Sequence, residues 1–240
     1  MKSAVPFLTR ITTNDYVRPG EFPFTLPFLK DGLDLRLESF VTFFAGENGS
    51  GKSTLLEAIA ERCGFNPAGG NRNHSYSRHE TESGLSSAIQ LVWRKRIGQG
   101  FFLRAESFFN FATYIEETGG MRGESLHRRS HGESFLAAFE NYFDLDEGIY
   151  LLDEPEAALS PARQLAFLRI LHDLSESKRG QFVVATHSPI ILGFPGAKVL
   201  WFGESGLQEI PYRETEHYRI TRGFFENPER YLRHLFSEDE

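Results

Sequence analysis

The chain has 240 residues, enough for one large α/β domain or two small ones, with 40% hydrophobic and 25% charged residues, the balance of a soluble globular protein. A net charge of −7 argues against a wholly basic nucleic-acid binder, though not against a local basic groove. The single cysteine, Cys63, excludes an internal disulfide and a cysteine zinc site and suits a reducing cytoplasm. The first residues lead into no signal peptide, and no segment approaches the roughly 20 apolar residues that span a bilayer, so no direct membrane insertion is expected.

Ahead of residue 40, Phe22-Pro23-Phe24 and Leu33-Asp34-Leu35-Arg36-Leu37 show short alternating patterns around Lys30-Asp31-Gly32. They predict an antiparallel β element leaning on the next strand. Tyr16, Arg18 and Phe22 are candidates for contacts to a base or ribose, or are plain surface residues.

Phe40–Ala45 is an apolar, partly β-branched run that predicts a buried strand. It leads into Gly46-Glu47-Asn48-Gly49-Ser50-Gly51-Lys52-Ser53-Thr54, the pattern G-x-x-x-x-G-K-[ST]. A helical run to Cys63 follows and stops at Gly64. Strand, glycine-rich loop and helix are what phosphate binding requires. The glycines let backbone N–H groups curl around phosphate oxygens, and the helix N-terminus adds partial positive charge. Lys52 has the reach for the β and γ phosphates, and the Ser53 hydroxyl is a Mg²⁺ ligand of the right kind.

Residues 64–84 are Gly-, Asn-, Ser-, Arg- and His-rich and predict a long polar loop; His74 and His79 read there as solvated side chains rather than metal ligands. Ala88–Trp93 and Gly100–Ala105 flank Arg94-Lys95-Arg96-Ile97-Gly98-Gln99, which predicts a hairpin whose basic tip either touches phosphate backbones or is a solvated turn. Ser107–Ile115 is an aromatic helical run. Ser130-His131-Gly132-Glu133-Ser134 precedes a helix with Phe135, Ala138, Phe139 and Phe143 on one face. Alone, S-x-G-E is no more than a capped helix start.

Ile149–Asp153 with Glu154 is an apolar strand ending in two carboxylates. In a parallel sheet, ligands bind at the strand C-termini, so Asp153 and Glu154 arrive where phosphates would be. Ser160 and Pro161 suit the start of a helix whose Phe167, Ile170, Leu171 and Leu174 form a core face. Gln181–Thr186 predicts another buried strand with His187 at its C-terminal end. Lys198–Phe202 and Gly206–Ile210 predict a hairpin, and Pro228–Phe236 a closing helix.

This order of motifs resembles the ATP-binding-cassette (ABC) class of ATPases over nearly the whole chain. Gly46–Ser53 is similar to the Walker A motif, Ser130–Glu133 to the signature motif, and Ile149–Glu154 to Walker B with its catalytic glutamate. Glu156–Ser160 resembles the D-loop, and His187 the switch histidine. The D-E-P-E and T-H-S-P wording looks closer to the soluble SMC-like and RecF-like branch than to a transporter subunit, and the interval between Lys52 and Asp153 shows no coiled-coil heptads. The sequence departs from the pattern at His131, where a glycine is usual, at Ser160, where an aspartate is usual, and at Glu106, which occupies the Q-loop position and could face Mg²⁺ through water.

The resemblance implies an α/β P-loop NTPase of the ABC type over residues 1–240. It would have a parallel core sheet with flanking helices, an antiparallel β element, and a helical signature subregion at about 105–145. It also implies ATP and Mg²⁺ as cofactors and an ATP-dependent head-to-tail homodimer in the cytoplasm that acts on DNA or a protein partner. Residues 46–54 would hold the phosphates, and Ser53 and Asp153 would position the metal. Glu154 would polarise the attacking water and His187 would sense the γ-phosphate. Ser130, Gly132 and Glu133 would close the site from the second copy. The alternative is the energy subunit of a membrane transporter.

Overall fold

A computed structural model describes residues 5–66, 84–104 and 147–236. The expectations for the polar loop with His74 and His79, for the aromatic helix, for the subregion at 105–145, and for Glu106, His131, Ser130, Gly132 and Glu133 lie outside the described residues.

The strands are β1 (Leu8–Thr13), β2 (Asp34–Arg36), β3 (Val41–Gly46), β4 (Ile89–Trp93), β5 (Gly100–Arg104), β6 (Gly148–Asp153), β7 (Gly180–Ala185), β8 (Lys198–Gly203) and β9 (Gly206–Glu209). The helices are α1 (Lys52–Cys63), α2 (Gly84–Ala88), α3 (Pro161–Glu176), α4 (Pro189–Leu192), α5 (Glu216–Glu226) and α6 (Pro228–Phe236). Six strands form one sheet in the order β5-β6-β7-β3-β8-β9, parallel except for the antiparallel edge strand β9. Three more form an antiparallel sheet in the order β2-β1-β4.

Every residue of β3, β6 and β7 is buried, as the continuous apolar runs require. Successive side chains serve opposite faces. Phe44, Phe102, Leu151, Val183 and Ala185 pack with Leu55, Leu56 and Ile59 of α1 and with Leu8 and Ile11 of β1. Phe43, Phe101, Tyr150, Phe182 and Val184 pack with Phe167, Leu171 and Leu174 of α3. The expected helix face of α3 is therefore the one it buries. Tyr150 stacks on Phe182, and Phe101 meets Tyr150 edge-on, so the aromatic richness of the sequence is spent in this core.

Two expectations are corrected. First, Ala88–Trp93 and Gly100–Ala105 do not form a hairpin: β4 pairs with β1 in the small sheet, while β5 pairs in parallel with β6. Burial separates them. β4 alternates between inward and outward residues, which suits a half-covered antiparallel sheet, whereas Gly100 to Leu103 are buried at every position. Gly100 has φ +130, and a Cβ there would lie 1.9 Å from the Ile149 carbonyl oxygen, so a glycine is needed for β5 to close on β6. The expected basic tip is also partly engaged, with Arg94 Nε donating to the Pro6 carbonyl and Lys95 paired with Glu147.

Second, Phe22-Pro23-Phe24 is not a strand. Pro19, Pro23 and Pro27 withhold ladder donors, and the segment instead winds through three-residue turns, with Phe24 N–H on Glu21 O and Leu26 N–H on Pro23 O. It buries Phe24, Leu26 and Phe28, of which Leu26 and Phe28 lie behind Gly51 of the phosphate loop. The antiparallel element itself is present, as β1 with β2. Tyr16 and Phe22 are exposed, and Arg18 pairs with Glu21 at 3.8 Å.

Pro228–Phe236 is the expected helix. The longer α5 before it was not anticipated.

Candidate functional site

The C-terminal ends of β5, β6, β7 and β3 lie side by side in the parallel sheet. Each carries a polar group: Arg104, then Asp153 with Glu154, then Thr186 with His187, then the glycine-rich loop. The sheet order thus gathers residues that are up to about 140 positions apart in the chain.

The loop turns on glycines with positive φ, Gly46 (+144), Gly49 (+77) and Gly51 (+92). At Gly51 a Cβ would come within 2.7 Å of Leu26 and of Phe28, and at Gly46 within 2.5 Å of the Phe202 carbonyl oxygen. The loop is therefore braced from behind while Glu47, Asn48 and Gly49 stay exposed. Gly51 is the N-cap of α1, and no side chain caps the helix. The first bond of its ladder is Leu55 N–H to Gly51 O at 3.0 Å, so the N–H groups of Lys52, Ser53 and Thr54 precede the ladder. Uncapped donors at a helix N-terminus are a ready anion site. This geometry fits phosphate.

Lys52 is buried, and its Nζ donates to the carbonyls of Gly46 (2.7 Å) and Glu47 (2.8 Å). Burial pulls its ammonium below the ordinary value, while Glu154, Asp153, Glu47 and Glu156 pull the other way. Ser53 Oγ donates to Asp153 Oδ1 at 2.9 Å. Burial pushes the Asp153 carboxyl up to about 6, opposed by the Ser53 hydrogen bond and by Arg104. A hydroxyl and a carboxylate at hydrogen-bond distance form a small all-oxygen donor pair, which suits Mg²⁺ with its remaining positions on water and phosphate.

Glu154 follows β6 with φ 51, a left-handed conformation for a non-glycine residue. Its N–H donates to Ala185 O at 2.9 Å, which ties the turn to the end of β7. Such a conformation costs about 1–3 kcal/mol and persists where the surroundings determine it. It directs Glu154 Oε1 to 3.5 Å from His187 Nε2.

Sequence reasoning missed three neighbours of these residues. Glu156 Oε1 accepts the His187 backbone N–H at 2.6 Å, and burial pushes its carboxyl above the ordinary value. Arg104 reaches Glu57 of α1 at 2.7 Å and Asp153 at 3.6 Å. His217, in the first turn of α5, places Nε2 at 3.2 Å from His187 Nδ1. The D-loop resemblance marked Glu156 without its contact to His187, and no local pattern announces Arg104 or His217. Ser160 starts α3 as expected, with Pro161 at the first helical position, but is exposed and makes no capping hydrogen bond.

The comparisons with known proteins agree with this geometry. Residues 24–121 match the family model "AAA domain", and residues 125–193 match "AAA domain, putative AbiEii toxin, Type IV TA system". The chain is 30% identical over 167 residues to the cytochrome c biogenesis ATP-binding export protein CcmA of Mesorhizobium japonicum, covering 64% of this chain and 80% of that protein. The chain belongs to the ABC class of P-loop ATPases. Members of this class are ATP hydrolases.

The same ATPase is 39% identical over 56 residues to protein ea59 of Escherichia phage lambda, a stretch that is 23% of this chain and spans only 11% of the phage protein. Two solved structures show the shared fold. The cbiO1 protein of Clostridium perfringens, described as part of the ABC transporter complex cbiONQ, is 15% identical with TM-score 0.53, covering 96% of this chain and all of that one. The SMC head domain from Thermotoga maritima is 17% identical with TM-score 0.50, covering 85% and 98%. Among the described residues, no helix is long and apolar enough to cross a membrane.

Proposed function

We propose that the chain, as a single ATPase domain over residues 1–240, binds MgATP on the Gly46–Thr54 loop and hydrolyses it in a head-to-tail dimer of two copies. The observation that carries this reading is the convergence of three contacts on the strand ends: Lys52 folded into the loop, Ser53 on Asp153 at 2.9 Å, and Glu154 facing His187 at 3.5 Å.

Lys52 and the backbone of residues 47–54 hold the phosphates. Ser53 and Asp153 are the residues that would hold Mg²⁺, which supplies charge neutralisation at the phosphate oxygens. Glu154 orients the attacking water and accepts its proton. His187 contacts the γ-phosphate from the neighbouring strand end. Glu47–Gly49 are exposed and Glu154 is about half exposed, so one face of the bound triphosphate stays open to solvent in a single copy. A second copy covering that face would exclude water, which strengthens every charge interaction inside. By the motif resemblance, Ser130, Gly132 and Glu133 of the second copy cover it, and Glu106 joins the metal through water. The buried Cys63 thiol and ATP as substrate suit a cytoplasmic site of action.

The dimer acts on DNA or a protein partner, a reading that rests on the D-E-P-E and T-H-S-P wording of the sequence, since the likeness in fold extends to an SMC head and to a transporter ATPase alike. The second reading, an energy subunit docked on membrane partners, is favoured by the name of the CcmA relative as an export protein. The decisive experiment mixes two inactive variants, Lys52→Ala and Ser130→Arg. A heterodimer carries one composite site with both residues intact, so ATPase activity should reappear on mixing; if none returns although heterodimers form, the two-copy site is wrong. Stimulation of the purified wild type by duplex DNA would favour the first reading of the partner, and co-purification with a membrane protein would favour the second.

A further inference from the structure

The switch histidine is gripped by a residue from far along the chain. His217 sits two positions after Thr215, the N-cap of α5, whose hydroxyl accepts from Tyr218 N–H and donates to the Tyr212 carbonyl at 2.6 Å. Thr215 is fully buried, so the start of α5 is anchored beside the site, although the rest of the helix buries nothing. From there the His217 ring meets the His187 ring edge-on, with centroids 4.8 Å apart, and lies 5.5 Å from Trp201 of β8. The nitrogen pair is His187 Nδ1 and His217 Nε2, at 3.2 Å.

One of these two nitrogens must donate and the other accept. If His187 Nδ1 carried the proton, its Nε2 lone pair would face the Glu154 carboxylate 3.5 Å away, an acceptor against an acceptor. If His217 Nε2–H donates instead, His187 keeps its proton on Nε2, and that N–H points at Glu154 and at the place where an anionic phosphate would sit. His187 Nε2 is buried and makes no hydrogen bond among the described residues, so a donor there is held ready for a ligand oxygen. The backbone of His187 is fixed independently by Glu156, at 2.6 Å.

We infer that His217 is a positioning residue for ATP hydrolysis: its Nε2–H donates to His187 Nδ1 and so presents the His187 Nε2–H to the γ-phosphate. The inference rests on the reading of His187 given under Proposed function. Burial, Lys52 and His217 together hold the His187 imidazole below its ordinary value, so the ring is neutral at neutral pH and which nitrogen carries the proton matters. The C-terminal helix thereby becomes part of the catalytic apparatus, and displacing it would release the switch.

The test compares His217→Ala, His217→Phe and His217→Gln in the full chain. Phenylalanine keeps the ring packing on Trp201 and removes the donor; glutamine can return an N–H near the position of Nε2. The inference expects kcat to fall about fivefold to tenfold in both Ala and Phe variants, the scale of one hydrogen bond, with KM for ATP little changed and kcat largely restored by Gln. In ¹⁵N-histidine spectra the His187 Nδ1 resonance should report a hydrogen-bonded acceptor in the wild type and in His217→Gln, and a free one in His217→Ala and His217→Phe. Wild-type kcat in His217→Phe, or an unmoved His187 resonance in His217→Ala, overturns the inference. His187→Ala separates the two levels: if it retains full turnover, the functional reading of His187 fails first, whereas an inactive His187→Ala beside a fully active His217→Phe defeats only the role of His217.

Discussion

The two sheets treat polar residues in opposite ways. In the antiparallel sheet one face is partly open, and charged groups stand along the strands themselves, as with Arg10 of β1 paired to Asp34 of β2. In the parallel sheet β3, β6 and β7 are buried along their whole length, and charged groups occur only where these strands stop. A strand covered on both faces has no wet position for a charge, so its chemistry is displaced to its C-terminal end. There desolvation is partial. Burial pushes Asp153 up against Ser53 and Arg104, and pulls Lys52 down against Glu154 and Asp153; it also pulls His187 down, with Lys52 adding to that pull and Glu154 and Glu47 opposing it. The open sheet spreads its charges into solvent, where they do little, whereas the covered sheet concentrates them at one edge.

The largest expected break in this contrast is at Glu154. Glu154→Gln keeps the size of the side chain and removes the base, so turnover should fall by about 10²–10⁴-fold. Binding should persist, and size-exclusion chromatography with MgATP should show a lasting dimer. Wild-type turnover in this variant would place the base elsewhere. Next is Lys52→Ala. It removes the loop's buried cation, and calorimetry should show ATP affinity falling by about tenfold or more, from the roughly 1.5–3 kcal/mol of a charge-assisted hydrogen bond. Unchanged affinity would remove the phosphate-loop assignment.

The third prediction concerns pH. With its carboxyl raised to about 6, Asp153 binds more protons folded than unfolded across the interval above the ordinary carboxylate value. Its contribution to stability is therefore present at the acid end and is lost as pH rises through about 6. Mg²⁺ needs the ionised form, so the metal must displace a proton below that point. The apparent Mg²⁺ affinity should fall toward about tenfold per pH unit below 6, and Asp153→Asn should abolish the part of that slope that belongs to the protein. A Mg²⁺ titration of nucleotide binding at several pH values reads this directly; identical slopes in the two proteins would contradict it.

The smallest effect on the site comes from the joint between the sheets. The buried Gln181 side chain on β7 accepts from Leu8 N–H and donates to Leu8 O, both at 2.8 Å, which joins β1 to the parallel sheet by a side-chain amide acting as a peptide group. Gln181→Leu leaves both backbone groups without that partner and should cost about 1–3 kcal/mol in urea unfolding, without changing ATP affinity. A large loss of affinity would mean that the two sheets share the site rather than divide the labour.

By itself the sequence determined the parts of this protein that are local. The runs of β3, β6 and β7 read as buried strands because they are short and nearly continuous in apolar residues. The loop between Gly46 and Thr54 reads as a phosphate cradle because glycine spacing and a following helix are consecutive in the chain. Asp153, Glu154 and His187 were legible because each ends such a strand. Tertiary structure alone decided the rest. Both β4 and β5 are good strands, and nothing within either run says that they join different sheets; coverage of one face or of both decides that. Pro19, Pro23 and Pro27 turned an alternating pattern into a brace for the loop through hydrogen bonds to residues three positions back. The left-handed turn at Glu154, the grip of Glu156 on the His187 backbone, and the approach of His217 from another helix bring together groups from separate elements. Such contacts follow from how the elements pack, and periodicity carries no record of a partner thirty residues away.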